Sequence, residues 1–540
     1  MTNRAPKVQA EVPEELVYAA AVLILSEDLY PRKLEVIREY IQNASDALDD
    51  YRLIADTVED RWEPVIKVSI QGRSLLIFDT GTGMDTEEMA KLKRIAYSEK
   101  KQGEEAGYKG IGRLAGIAVA DKLKVTSTSY GDPRLHHFEF RAGEMREDVS
   151  KKKKSGVQEP ASVVINRHTS LWTTDADDPE SHYTLVELRD VRENCLDILD
   201  VDDLKEYIAD IAPVDFAPDA EFRYGSLIST KLRQNLPDYS PKGVYLATSN
   251  GERIRIHKPY SNETMLSAPE FIEVRNPDKP QELLAYCWYA SKGREMLGKV
   301  RPAGRIFSVD GEDAEEKHRL AGLVYKLFGF SIGDRSLPQR TLWTTTLTRA
   351  QWFTGEIHIV DKSILPTTDR SNFVENEWRE KLYSQARDAI SSTLNREAQK
   401  ISDNRQAFET AEKVKKSLEQ YQKRLTTGQI DRADLKAVRE HVTQGLDRLR
   451  RREGRCRDTD ILNQIKKVKN LGSTVKQDLA DPKLLKKAKS VADIAAELKM
   501  APKTRKVFEI IMDTLQGHFT DTDEYHRVAG KIYGELRKKY

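Results

Sequence analysis

The sequence predicts an α/β protein, with an N-terminal sandwich of helices over a mixed sheet, a second α/β domain and an all-helical C-terminal region. Two observations lead to this fold class. Up to about residue 375, short runs rich in β-branched residues alternate with segments of helical period, and beyond residue 376 apolar residues recur at spacings of three and four. A chain of 540 residues has room for about three or four domains. We therefore expect domains at 1–235 and 236–375, a helical hairpin or coiled coil at 376–470, and a basic helical region at 471–540.

The first predicted domain begins with helices and continues with strands. Residues 14–56 have a helical period, and Pro31 divides them into two helices. Two β-rich runs, 65–70 and 74–78, are separated by three turn residues and predict a hairpin. The other predicted elements are helices at 86–97 and 114–120, loops at 98–112 and 151–154, and strands at 123–128, 135–141, 161–166 and 183–188.

The second domain and the tail are predicted from similar patterns. The second domain is expected to contain strands at 244–248, 284–289 and 356–360, with a helix near 313–328. In the tail, apolar stripes at 414–425 and 435–449 flank a turn that ends at Asp431, a predicted N-cap. These stripes predict an antiparallel hairpin or short coiled coil, and a last helical unit is expected over about 490–540.

Charge is unevenly distributed along the chain. The formal net charge is +1, but residues 411–540 carry 31 Lys/Arg against 19 Asp/Glu, whereas the rest of the chain carries 57 against 68. A basic tail on a nearly neutral chain predicts an acidic partner for that tail.

The cysteines and the apolar runs indicate the compartment. Cys195, Cys287 and Cys456 form no zinc pattern and no disulfide framework, which fits a reducing environment. The apolar run at 16–25 is too short to span a bilayer, and it lacks the basic flank and cleavage site of a signal peptide. We expect a soluble, cytoplasmic protein with no membrane partner.

Three polar side chains share one face of the second predicted helix. Glu39 and Asn43 are four residues apart, and Asp46 follows three residues later. On that face Glu39 could act as a general base, and Asn43 could supply an oxygen ligand to Mg²⁺ beside phosphates. A solvated outer face of the helix would explain the same spacing.

A second motif follows the predicted hairpin directly. Asp79 is followed by Gly81, Gly83 and Met84. The carboxylate could accept a hydrogen bond from an adenine amino group, and the glycines would let the backbone approach the base. An ordinary turn rich in Asp and Gly is the alternative interpretation.

A third motif is rich in glycine and precedes a predicted helix. It contains Lys109, Gly110, Ile111 and Gly112. Glycine-rich backbone before a helix favours anion binding and predicts a phosphate site. The motif is not a P-loop, because GK[ST] is missing, and no strand precedes it as in a Rossmann fingerprint.

In this order, the three motifs resemble the nucleotide site of the GHKL family, named for gyrase, heat-shock protein 90, histidine kinases and MutL. The resemblance is strongest to heat-shock protein 90, where residues 34–52 and 117–122 are similar to its N-terminal domain. Thr184 resembles the family's threonine that supports the adenine contact. The resemblance implies a Bergerat-type sandwich at 1–235 that binds ATP and Mg²⁺ and hydrolyses ATP.

Residues 355–373 resemble the segment of the heat-shock protein 90 middle domain that carries a catalytic arginine, and also the transducer domains of MORC and MutL proteins. The resemblance implies that Arg370 reaches the γ-phosphate when the second domain closes on the first. Arginine is well suited to stabilising charge on a transferring phosphoryl group. Arg340 is the competing candidate, and a surface arginine after a turn is the plainer interpretation.

Three functions fit these features. The first is an ATP-gated chaperone clamp similar to heat-shock protein 90, a homodimer that acts on protein clients. The second is a MORC- or MutL-like clamp that binds DNA through the basic helical C-terminal region, in genome maintenance or defence. The third is a module that holds ATP without turnover, against which Glu39 argues. Beyond residue 376 the sequence does not resemble the chaperone's C-terminal dimerisation domain.

Overall fold

Two compact units, Met1–Leu394 and Asn395–Tyr540, make up the computed structural model. The first unit is α/β and the second is helical, which confirms the predicted fold class. The structure describes residues 32–58, 62–93, 112–156, 159–176, 178–248, 251–262, 267–291, 320–345, 347–426, 430, 434–481, 495–496, 498–519 and 522–539.

An eight-stranded sheet lies at the centre of the first unit, in the order β5-β4-β3-β6-β2-β1-β7-β8. Its strands are β1 Val65–Gln71, β2 Ser74–Asp79, β3 Ala120–Thr128, β4 Arg134–Arg141, β5 Thr169–Asp175, β6 Tyr183–Val191, β7 Gly243–Ala247 and β8 Arg253–Ile256. The predicted hairpin is confirmed, because β1 and β2 pair antiparallel. β7 pairs parallel with β1, so the sheet continues beyond residue 235, the expected end of the first domain.

Helices cover this sheet and form the core with it. They are α1 Glu35–Val58, α2 Thr86–Lys91, α3 Ala142–Lys154, α4 Ala161–His168, α5 Val201–Ile211 and α6 Gly225–Asn235, with 3-10 helices at Gly112–Ala118 and Glu193–Leu199. α1 packs on the sheet through a buried stripe at helical spacing that includes Ile37, Ile41 and Leu48. This packing places Asn43 of the first motif near Asp79 at the carboxyl end of β2.

A second sheet of five strands follows, in the order β12-β11-β13-β10-β9. Its strands are β9 Glu270–Arg275, β10 Leu283–Ser291, β11 Gly322–Leu327, β12 Phe330–Ile332 and β13 Phe353–Ile359. Beside them lie α7 Ser336–Leu342, α8 Glu377–Ala386, a 3-10 helix at Leu347–Trp352 and a π-helical turn at Arg387–Ser391. The predicted helix near 313–328 is wrong over β11; residues 313–319 lie outside the described part. Every residue of β11 is buried, and such a short apolar run gives no period that separates strand from helix.

Two other local predictions in the first domain are corrected. Residues 161–166 form α4 rather than a strand, because Val164 and Ile165 are buried while Val163 is 42% exposed, a helical pattern of burial. Residues 151–154 form the last turn of α3 rather than a loop, since Lys151 and Lys152 pair with Glu147 and Asp148 one turn earlier. β5 was not predicted from the sequence.

In its described residues, the second unit contains three long helices and a further pair. They are α9 Ser392–Thr426, α10 Leu435–Glu453, α11 Thr459–Asp478, α12 Pro502–His518 and α13 Thr522–Lys539. The two predicted apolar stripes share one core, which α11 completes with Ile461, Ile465 and Val468. The tail is therefore a three-helix arrangement rather than a simple hairpin. The predicted N-cap Asp431 lies outside the described residues.

In the described part of the chain, no helix combines the length and apolar character needed to cross a membrane. Cys195, Cys287 and Cys456 are buried and form no disulfide bond with one another.

Candidate functional site

An open cavity of about 180 Å³ lies between α1 and the eight-stranded sheet. Asn43 lines it from α1, and Asp79, Met84 and Thr184 line it from the strands and from the loop after β2. The structure thus brings together residues from the first two sequence motifs.

Asp79 is a buried carboxyl group at one end of this cavity. It is the last residue of β2 and is 5% exposed. Burial raises the pKa of its carboxyl to about 7, against the opposing effect of a hydrogen bond that the Gly81 N–H donates to Oδ1 at 2.9 Å. Among the described residues no side chain donates to its second oxygen, which can therefore accept a hydrogen bond from a ligand in the cavity.

Thr184 lies opposite Asp79 on the neighbouring strand β6. Its Oγ1 is 3.0 Å from Ser127 Oγ. Ser127 Oγ donates to the carbonyl of Tyr183 at 2.7 Å and accepts from the Met84 N–H at 2.9 Å. Because the Ser127 proton is already used, the hydroxyl of Thr184 must be the donor between the two. The lone pairs of Thr184 Oγ1 are then left to accept a hydrogen bond from the cavity.

Two glycines allow the backbone to come close to neighbouring groups. Gly83 has φ +69°, and a Cβ built there would lie 1.8 Å from the Thr128 carbonyl oxygen. Gly112 begins the 3-10 helix, and a Cβ there would lie 2.2 Å from Glu39 Oε2. The backbone at Gly112 therefore borders the predicted general base directly.

Arg370 and Glu39, the two predicted catalytic residues, contact each other. Arg370 Nε lies 3.5 Å from Glu39 Oε1, and their side chains are only 10% and 16% exposed. Glu39 is one helical turn before Asn43, so this ion pair lies beyond the Asn43 end of the cavity. Arg340, the competing candidate, is exposed on α7.

A short loop after β13 holds Arg370 in place. Pro366 and Phe373 form a β-bridge that closes the loop. Inside it, the Arg370 N–H donates to the carbonyl of Thr367 at 3.1 Å. Arg370 has φ +55°, a left-handed conformation that costs roughly 1–2 kcal/mol for a residue with a Cβ. The loop therefore fixes an unfavourable backbone conformation at the residue that contacts Glu39.

The remaining predicted site residues have different positions. Gly81 lies beside Ala47 of α1, where a Cβ would come within 2.5 Å of the Ala47 Cβ. Asp46 is half-buried and does not line the cavity, whereas the next residue, Ala47, lines it from α1. Lys109, Gly110 and Ile111 lie outside the described residues, so the predicted phosphate loop is seen only from Gly112 onward.

The structure adds aromatic residues that the motifs did not reveal. The Trp62 Nε1–H donates to the carbonyl of Thr80 at 2.7 Å, and His182 Nδ1 lies 2.7 Å from the carbonyl oxygen of Gly81. The His182 ring also stacks on Tyr51 of α1, with centroids 3.7 Å apart. Two consecutive carbonyls of the loop after Asp79 are thus held by aromatic side chains, a contact that no sequence spacing indicates.

Tyr40 fixes the other wall of the site. Its hydroxyl accepts a hydrogen bond from the Gly116 N–H at 2.7 Å, which joins α1 to the 3-10 helix after the glycine-rich segment. Tyr40 lies one residue after Glu39, and the sequence motifs did not indicate this contact.

Comparison with known proteins assigns the domain that contains this cavity. Residues 33–185 match the family described as histidine kinase-, DNA gyrase B-, and HSP90-like ATPase. This confirms the predicted resemblance for the N-terminal part of the chain.

Individual relatives match the same part of the chain. The chaperone protein HtpG of Rickettsia prowazekii is 28% identical over 158 residues, which cover 26% of this chain and 24% of that protein. The chaperone protein HtpG of Borreliella burgdorferi is 31% identical over 121 residues, covering 19% and 20% of the two chains. The chain therefore matches only about a quarter of the length of these relatives.

Proposed function

We propose that this chain binds ATP in the cavity beside α1 and hydrolyses it to ADP and phosphate. The observation that supports this proposal best is the contact of Glu39 with Arg370 at 3.5 Å. A carboxylate and a guanidinium from distant parts of the chain meet one helical turn from the cavity-lining Asn43. Hydrolysis of a phosphoryl group needs both a proton acceptor and a fixed positive charge.

The adenine base is assigned to the Asp79 end of the cavity. Its amino group donates to the free carboxyl oxygen of Asp79, and the lone pairs of Thr184 Oγ1 complete the polar floor. Guanine carries a carbonyl where adenine has its amino group, so it would place one acceptor against another. A buried polar group left unpaired costs about 1–3 kcal/mol, which favours ATP over GTP.

The phosphates are assigned to the Glu39 end. The Glu39 carboxylate accepts a proton from water as the water oxygen bonds to the γ-phosphorus. The bond from that phosphorus to the β–γ bridging oxygen breaks, and ADP leaves with the bond's electron pair. Arg370 donates N–H groups to the γ-phosphate oxygens, where it stabilises the charge of the transition state.

The residues around Asn43 fit a Mg²⁺ ion that is bound together with the ATP phosphates, rather than a metal ion held by several protein side chains. Among the described residues, no group of three or more His, Cys, Asp or Glu side chains is arranged to hold a metal ion. Mg²⁺ takes few protein ligands and completes its shell with phosphates and water, so the Asn43 amide oxygen is a suitable ligand. When bound, the ion would neutralise charge on the phosphates.

For the whole protein we propose a cytoplasmic, ATP-gated clamp that works as a homodimer, in the manner of heat-shock protein 90. The N-terminal similarity to HtpG chaperones supports this proposal. A MORC- or MutL-like clamp acting on DNA is the alternative, and it would use the same ATP site. The two functions differ in the partner of the helical second unit.

The catalytic assignment is tested with Glu39→Gln. Because general-base catalysis contributes about 10²–10⁴-fold, phosphate release should fall by at least 100-fold while ATP affinity stays within a few-fold of wild type. Glu35→Gln, one turn earlier on α1, is the matched control and should retain turnover. Turnover near the wild-type rate in Glu39→Gln would remove Glu39 from its role.

The clamp proposal is tested separately by light scattering. A ligand can shift a conformational equilibrium only by its differential affinity for the two states, so a non-hydrolysable ATP analogue should stabilise a dimer or a more compact form. A monomer of unchanged size with and without the analogue would contradict the clamp and leave the ATPase proposal standing.

A further inference from the structure

Four arginines share one flank of α10 in the second unit. Arg448, Arg451 and Arg452 are spaced by three and four residues, and Arg455 continues the row just after the helix ends. Arg448, Arg451 and Arg455 are exposed and Arg452 is half-buried. The buried residues of α10 lie on another side of the helix, so three of the four arginines face outward.

This row, the arginine flank, is not neutralised by neighbouring carboxylates. Within the part of the chain that is described, none of its four members makes an ion pair with an acidic side chain. Four other arginines of the same unit do so: Arg405 with Glu409 at 2.8 Å, Arg424 with Asp434 at 3.5 Å, Arg450 with Asp447 at 3.5 Å, and Arg505 with Glu509 at 2.9 Å. The flank therefore concentrates positive charge that the fold itself does not pair.

Like charges three or four residues apart on a helix repel one another, and the arginines of the flank have these spacings. The helix dipole favours Arg451 and Arg452 in the last turn of α10, but it does not remove the repulsion between the side chains. The buried residues of α10, among them Val442, Leu446 and Leu449, supply its packing without any help from the arginines. An anionic ligand along the flank would convert this repulsion into attraction.

The flank lies at the edge of the seam between α9 and α10. His441 is seven residues before Arg448 and so lies on the same side of α10. Its Nδ1 is 2.9 Å from the hydroxyl of Tyr421 on α9. A ligand on the flank would thus contact a surface supported by two packed helices, not a mobile terminus.

We propose that the arginine flank binds the phosphate backbone of nucleic acid. A rise of 1.5 Å per residue places Arg448 and Arg455 about 10 Å apart along the axis, a distance that spans about three phosphates of one DNA strand at 3.4 Å rise each. Guanidinium groups match phosphate oxygens with paired hydrogen bonds, which ammonium groups do not.

Two other anionic partners fit the flank less well. Among the described residues of α10 and α11, no large apolar side chain is strongly exposed, so the surface has nothing to insert into a membrane. It also lacks the exposed aromatic or aliphatic anchors typical of protein interfaces. Electrostatic binding to a regular row of phosphates needs neither feature.

The test measures the affinity of the full chain for a short labelled DNA duplex by fluorescence anisotropy, without nucleotide, between 50 and 200 mM salt. The absence of ATP separates this proposal from the ATPase proposal. The flank variant carries Gln at Arg448, Arg451, Arg452 and Arg455. Its affinity should fall at least tenfold, and the slope of log K against log salt should drop by up to about 0.9 per lost contact.

A matched control variant carries Gln at the four paired arginines, Arg405, Arg424, Arg450 and Arg505. It loses the same number of positive charges, so its affinity should stay within about threefold of wild type if the flank is the site. A four-fold Arg→Lys variant of the flank keeps the charge but loses the paired hydrogen bonds, so its affinity should lie between those of the wild type and the Gln variant, which guards against misfolding of the Gln variant.

Three results would overturn the proposal. One is the absence of DNA binding by the wild type, and another is an equal loss of affinity in the flank and control variants. The third is tighter, flank-dependent binding to anionic vesicles or to poly-glutamate, which would assign the flank to a lipid surface or an acidic protein.

Discussion

Replacing Arg370 with alanine should separate turnover from ATP affinity. The substitution removes the guanidinium that lies 3.5 Å from Glu39 Oε1. Alanine keeps a Cβ, so the left-handed backbone at φ +55° is strained to the same degree in both proteins. Any change in activity then reports the loss of the charged group and not a release of strain in the loop.

The expected magnitudes follow from the geometry. At 3.5 Å and an effective dielectric constant of about 20, the gross attraction between Glu39 and Arg370 is about 5 kcal/mol. Desolvation of both groups offsets much of it. In the ground state Arg370 exchanges one anionic partner, the carboxylate, for another, the phosphate, so its net effect on ATP affinity should be small. In the transition state it meets additional charge, and loss of one such group typically costs about 10²–10³ in turnover.

The assay measures single-turnover phosphate release and, separately, the ATP dissociation constant by calorimetry. Arg370→Ala should release phosphate about 100-fold more slowly and bind ATP within tenfold of wild type. Arg340→Ala is the control and should match wild type in both. The reasoning is refuted if Arg370→Ala keeps its turnover, or if affinity falls as much as turnover, which would mean that the arginine acts mainly on bound substrate.

Three further predictions concern the rest of the cavity. Burial raises the pKa of Asp79 to about 7, so the folded protein favours the protonated carboxyl, and the stability that this protonation contributes is lost as pH rises from about 4 through 7. Because ATP prefers the ionised acceptor, calorimetry should find that ATP affinity rises over the same pH range. Asp79→Asn should remove the part of this pH dependence that belongs to the carboxyl. Gly112→Ala should slow turnover at least tenfold with ATP affinity nearly unchanged, because the new Cβ would lie 2.2 Å from Glu39 Oε2, whereas Gly517→Ala, with open space around it, should have no effect. His182→Ala should weaken ATP binding several-fold at constant turnover, because the 2.7 Å contact to the Gly81 carbonyl holds the loop after Asp79; an equal fall in turnover would contradict this.

The features that could be predicted from sequence are those whose geometry depends on the residues of one short segment alone. Helical spacing placed Asn43 toward the cavity, and the turn residues between β1 and β2 placed Asp79 at a strand end. Periodicity failed where burial removes the alternation, as in β11, or where β-branched residues lie in a helix, as at Val164 and Ile165 in α4.

Contacts between distant segments had no such signal. The pairing of β7 with β1 and the stacking of His182 on Tyr51 depend on how the chain folds back, which residue spacing does not encode. The contact between Arg370 and Glu39 is of the same kind. The resemblance to heat-shock protein 90 named both residues, but only the three-dimensional arrangement brings them to within 3.5 Å.

A buried polar cluster explains why these distant residues meet. Lys326 of β11 and Ser331 of β12 both donate to the carbonyl of Asp210, near the end of α5, at 2.7 and 2.6 Å. Glu356 of β13 binds Lys258 at 2.7 Å, and both side chains are 1% exposed. Breaking a buried ion pair costs about 3–5 kcal/mol, so the second sheet is firmly attached to the segment just after β8 of the first sheet. The two hydrogen bonds to Asp210 attach it as well to α5, which packs in the core of the first sheet.

The loop that contains Arg370 follows β13 directly, so the attachment of the second sheet to the first also fixes the position of this loop. The sequence led us to expect that Arg370 would reach the γ-phosphate only after the second domain closed on the first. Closure of the second domain stays a prediction, but Arg370 already contacts Glu39 in this structure. We therefore propose that Arg370 exchanges the Glu39 carboxylate for a phosphate oxygen when ATP binds, and that until then the ion pair holds the proposed base and the proposed charge stabiliser together.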